Sequence, residues 1–108
     1  MSGDPQAALV WCPFPDAKTA RAIAGTLLEE KRIACANILP GVESVFTWNG
    51  EVSSETETAV LFKTTAGQLR ALTKRLEELH PYETPAIMGW LVDATPPKTL
   101  EWLNQSLK

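Results

Sequence analysis

The dipeptide Asn49-Gly50 constrains this chain more than any other feature. Two successive residues that tolerate positive φ, set between strand-like segments, specify a tight type I′ hairpin. Ahead of it, Ile33 to Trp48 reads as one strand, with Pro40-Gly41 suiting a bulge or bend better than a strand end. Past it, Thr56, Thr58, Val60, Phe62 and Thr64 alternate with Glu57, Ala59, Leu61 and Lys63, the period of a second arm. Each arm can run about 13 residues, or on the order of 40 Å. In a chain of 108 residues such arms outreach the cover its own helices provide, and an uncovered edge invites pairing with another chain. The hairpin is therefore expected to overhang the domain and to build an oligomer.

The segments around the hairpin complete a recognisable order. Ala7 to Cys12 is a short apolar run ended by Pro13-Phe14-Pro15, as expected of a buried central strand. Asp16 offers an N-cap, and Ala20, Ile23, Ala24, Leu27 and Leu28 repeat at helical spacing as far as Lys31 and Arg32, whose charges suit a helix C-terminus. Ala66-Gly67 opens a second helix with Leu69, Leu72, Leu76 and Leu79 on one face, stopped where Pro81 follows His80. Ala86 to Val92 reads as a last buried strand. Thr95-Pro96-Pro97 reads as an N-cap with proline at the first helical position, starting a short C-terminal helix striped by Leu100, Leu103 and Leu107. Trp102 lies off that stripe, toward a neighbour. The βαββαβ order predicts an α+β, ferredoxin-like antiparallel sheet with strands ordered four, one, three, two and both helices on one face. One domain over 1–108 is expected, with residues 1–6 a flexible N-terminus.

Composition narrows the function classes. A net charge of -3 and a pI near 5.1, with Lys and Arg dispersed, argue against a nucleic-acid surface. Nothing approaches the roughly 18 apolar residues of a membrane span, and the N-terminus lacks a basic segment leading into an apolar run. The chain reads as a cytoplasmic protein. Cys12 and Cys35 form no CxxC or zinc-finger spacing, so no disulfide framework is expected. No nucleotide fingerprint is present, and no organic cofactor is expected.

Chemistry concentrates in Leu79-His80-Pro81-Tyr82-Glu83-Thr84-Pro85, which holds the single histidine and the single tyrosine. The topology brings the end of the first strand beside the start of the fourth, so Cys12 comes near this connector, while Cys35 lies two strand spacings away. A thiolate beside an imidazole suits copper or zinc, with Glu83 as a further carboxylate. The plainer alternative makes His80 a helix C-cap and Cys12 a small core residue. Cys12 and His80 as nucleophile and base lack an orienting third group and an oxyanion hole, so no enzyme is expected. Glu43, Glu51, Glu55 and Glu57 could offer oxygen ligands to a hard cation but read rather as a solvated hairpin face, and Trp48 and Trp90 read as core or half-buried strand positions ahead of interface anchors. A further reading places Lys63, Tyr82 and Glu83 in a cleft between subunits that holds a small ligand, the lysine and phenol recognising an anion.

The Cys12 to Asp16 turn, Glu30 to Gly41, Trp48-Asn49-Gly50-Glu51, Lys63-Thr64 and His80 to Pro85 together make the chain resemble the CutA divalent-cation tolerance proteins from Leu9 to Leu107. The resemblance implies a homotrimer built through the long hairpin strands. It also implies a non-enzymatic role in the response to metal ions, with Cu2+ or another divalent cation held by the residues here numbered Cys12 and His80. Leu79 stands where some members carry a second histidine. The family trimer is similar to those of signalling proteins that bind effectors between subunits, and no protein partner is specified.

Overall fold

In the computed structural model, which describes residues 6–108, the expected hairpin is the longest feature. Strand β1 (Ala7–Phe14) leads into helix α1 (Ala17–Glu29). Strands β2 (Cys35–Trp48) and β3 (Glu51–Thr65) form the hairpin, and a single 3-10 turn (Ala66–Gln68) leads into α2 (Leu69–Leu79). An edge strand β4 (Met88–Leu91) and helix α3 (Pro97–Ser106) complete the chain. The sheet order β2-β3-β1-β4 is the predicted order read from its other edge, and every pairing is antiparallel.

Asn49 and Gly50 take φ of 51° and 80°, so both central turn positions are left-handed, as a type I′ turn demands. Pro40 and Gly41 together oppose Thr58, between the Leu39–Ala59 and Val42–Glu57 pairs, and Gly41 takes φ 74°. This is the bulge the proline-glycine pair implied. It falls where support ends: β1 pairs with β3 only from Thr58 to Thr65, so beyond the bulge Val42–Trp48 and Glu51–Glu57 pair only with each other. The described chain measures 48 × 26 × 22 Å, elongated by this overhang.

The core lies between the sheet and helices α1 and α2, where Val10, Cys12, Phe14, Val60 and Phe62 meet Ile23, Leu27, Leu72 and Leu76. Alternate residues of β1 and β3 supply one layer, and the helical stripes supply the other. Gly89 permits close approach there, since a Cβ at that position would stand 2.8 Å from the Leu69 Cδ1.

Several expectations need correction. The first strand runs on through Pro13 to Phe14, because Phe14 is itself a buried core residue paired with Thr58. Lys31 and Arg32 lie past α1: Lys31 adopts φ 61°, and the Lys31 and Arg32 amides donate to the Leu28 and Leu27 carbonyls, a Schellman ending. Leu28 falls off the buried stripe. β4 is shorter than 86–92 and exposed rather than buried, because it is the sheet edge; Met88, Trp90 and Leu91 stand open in the single chain. Trp48 is likewise exposed, on the overhang. α3 is capped by Pro96 rather than Thr95, whose hydroxyl is buried without a partner. Of the N-terminus expected to be flexible, residues 1–5 lie outside the described residues. Gln6 is held, its carbonyl accepting from Ala66 and its side-chain amide donating to the Val92 carbonyl.

Candidate functional site

Pro81 shapes the site by what it does to its predecessor. A residue before proline is pushed out of helical space, and His80 takes φ -70°, ψ 138°, ending α2 while its amide still donates to the Leu76 carbonyl. The turn folds the imidazole inward to 7% exposure, stacked on Phe14 at 4.7 Å and 17°. Its Nε2 lies 2.7 Å from the Pro13 carbonyl oxygen, and the Tyr82 amide donates to Nδ1 at 3.1 Å. A carbonyl only accepts and an amide N–H only donates, so Nε2 carries the proton and Nδ1 is bare. His80 is a neutral imidazole with both nitrogens engaged. It is the helix C-cap of the plainer reading, without the charge that reading gave it.

Cys12 comes to the same place from β1. Its thiol is fully buried and donates weakly to the Pro13 carbonyl at 3.7 Å. Burial first, then the Glu57 charge, pushes the thiol up to about 12. The predicted convergence of Cys12 and His80 is therefore present, centred on one carbonyl oxygen. Their donor types fit Cu(II) or Zn(II). Their state does not make a ready site, since the thiol keeps its proton and neither ring nitrogen offers a free lone pair. Among the described residues no three His, Cys, Asp or Glu side chains are grouped to hold an ion.

Beyond His80, the Tyr82 ring tilts against the imidazole at 4.7 Å and its hydroxyl donates to Glu57 Oε2 at 2.9 Å. Burial, then the Glu57 hydrogen bond and charge, push the phenol up to about 12, with Glu55 and Asp16 adding to the same field. This chain of contacts ties the end of β1, the cap of α2, the connector and β3 together.

Tyr82 and Glu83 form one wall of a groove of about 870 Å³ whose other wall is the overhanging hairpin, with Phe46, Trp48, Glu55 and Glu57. Register explains the hairpin wall: Ser44 opposes Glu55 and Phe46 opposes Ser53, so these side chains share one face, while Val45 and Val52 point to the other. Lys63 is absent from this lining; it stands on β3 six residues from Glu57, roughly 20 Å along the strand. One chain thus brings Tyr82 and Glu83 together and leaves Lys63 apart. Glu55 and Glu57, read from sequence as solvated rather than ligating, line the groove. The alternation of the overhang could have placed Glu55 with Phe46 and Trp48, but the contact between Glu57 and Tyr82 joins positions 25 apart with no local signal.

A model of the family described as "CutA1 divalent ion tolerance protein" matches residues 8–106. The divalent-cation tolerance protein CutA of Citrobacter koseri is 39% identical over 104 residues, covering 96% of this chain and 90% of its own. Among solved structures, the divalent ion tolerance protein CutA1 from Ehrlichia chaffeensis superposes with a TM-score of 0.92 at 34% identity, over 95% of this chain and 96% of its own. The Archaeoglobus fulgidus protein, described as the periplasmic divalent cation tolerance protein CutA, superposes at 0.89 with 28% identity, over 94% and 99%.

Proposed function

Because this chain belongs to the CutA1 divalent ion tolerance protein family, we propose that it acts as a non-enzymatic homotrimer in the response to divalent cations, taking Cu(II) or a related ion at Cys12 and His80. The observation that carries the assignment is the meeting of these two side chains at the Pro13 carbonyl, from positions far apart in sequence. Binding there requires the His80 ring to leave one of its two hydrogen bonds and Cys12 to give up its proton. The uptake is accordingly weak and coupled to local opening of the connector, rather than capture by a finished cage. Two unpaired cysteines suit a reducing compartment, and the reading places the protein in the cytoplasm. The test is calorimetric titration of Cu(II) into the wild-type protein and the Cys12→Ala, His80→Ala double variant. The variant should lose the binding; binding of equal strength in both would remove the site assignment.

The groove favours a second reading, a signalling or scaffolding trimer that holds a small ligand or partner segment beside Tyr82 and Glu83. Its support is a concave wall of about 870 Å³ in the size range of ligand sites, roughly 300–1,000 Å³. A ligand that binds only the folded protein raises its melting temperature, so a thermal-shift screen of metals against metabolites separates the two readings.

A further inference from the structure

The groove between the overhanging hairpin and the connector has a definite chemistry. Its walls carry the Glu55, Glu57 and Glu83 carboxylates and the Phe46, Trp48 and Tyr82 rings, and among the described residues of one chain no lysine, arginine or histidine lines it. The Tyr82 phenol, held protonated by burial and by Glu57, donates its one hydrogen to an oxygen of Glu57, so it has no donor left for an anion. An anionic ligand would enter a field of its own sign and find no cation to pair with. A cation meets the reverse: carboxylates to accept its N–H groups and aromatic faces whose quadrupoles attract positive charge. Planar guanidinium is suited to both at once, stacking on a ring while donating to a carboxylate.

We propose that this groove binds an organic cation bearing a guanidinium or ammonium group, held by Glu57 and Glu55 on the hairpin, by Glu83 on the connector and by the Trp48 ring. The inference deepens the groove reading and rests on it; neither Cys12 nor His80 lines the groove, although His80 holds the Tyr82 amide beside it. Within one chain Lys63 stands far along β3, so the anion expected between subunits would need the lysine of a second copy.

Charge complementarity decides the occupant. Register puts Phe46, Trp48, Glu55 and Glu57 on the groove face of the overhang and Val45 and Val52 on the other, and both faces are open in one chain, with Trp48 67% and Val52 79% exposed.

The experiment titrates agmatine, which carries a guanidinium and an ammonium, into the assembled wild-type protein by calorimetry, with glutarate, a dianion of comparable length, as the control. Glu57→Gln preserves an acceptor for the Tyr82 hydroxyl and removes the charge, so it should weaken agmatine binding about tenfold. Trp48→Leu should weaken it about threefold. Lys63→Ala, roughly 20 Å along β3 from Glu57, should bind agmatine as the wild type does. Agmatine binding that ignores both groove substitutions, or no binding at millimolar concentration, overturns the proposal. Glutarate binding lost in the groove variants overturns the cationic assignment while leaving the groove reading intact. If a second copy fills the groove, agmatine will not bind and Glu57→Gln will change the assembled mass instead, which also overturns it.

Discussion

His80 does two structural jobs with one ring, and both follow from Pro81. Forced out of the helix, it donates to Pro13 and accepts from Tyr82, and Tyr82 in turn donates to Glu57. Residue types were enough to single out Cys12, His80 and Tyr82, because each is rare in the sequence and topology brings the first two together. They did not reveal that the imidazole is fully engaged or that Glu57 belongs to the site, because both facts depend on contacts across the fold. The Tyr82 phenol offers a direct check, being the single tyrosine of the chain. Its pKa is raised from 10.0 to about 12 in the folded protein, so the fold holds that proton more tightly than the unfolded chain does. The stability this contributes is complete below pH ~10 and is lost as pH rises toward ~12. Ultraviolet titration of the phenol should show the raised midpoint, and Glu57→Gln should lower it by removing the charge while leaving an acceptor. A midpoint unchanged in the variant would mean that the Glu57 contact contributes nothing.

At the scale of elements, the hairpin was the most legible part of the chain. Asn49-Gly50 and Pro40-Gly41 each act through positive φ, a local property readable without the fold. β4 was misjudged for the opposite reason. An apolar run of that length looks the same whether it is central or at the edge, and edge position is a fact of topology. Gly41 allows a test free of packing, because nothing lies within 4 Å of where its Cβ would be. Gly41→Ala should cost about 1–2 kcal/mol from left-handed backbone strain alone, read as a lower denaturant midpoint with unchanged slope. A loss near zero would show that the bulge relaxes into another conformation and does not fix the register of the overhang.

The whole molecule is left with an unsupported hairpin half and an exposed edge strand, and both call for another copy. Val45, Val52, Met88 and Trp90 are open in one chain, so substitution there spares the chain's own core. Val52→Asp should therefore leave the subunit folded by circular dichroism while light scattering shows the proposed trimer giving way to smaller species, since a carboxylate buried at an apolar interface lacks a partner. A trimer of unchanged mass and stability would move the interface elsewhere. The claim on which the functional reading depends is that Cys12 and His80 ligate metal despite their engaged state. Electron paramagnetic resonance of the assembled protein at one Cu(II) per chain tests it most directly. The expected spectrum carries nitrogen and sulfur ligation and loses both in the Cys12→Ala, His80→Ala variant. Oxygen-only ligation, or a spectrum the variant leaves unchanged, would contradict the account and leave His80 as a helix cap and Cys12 as core.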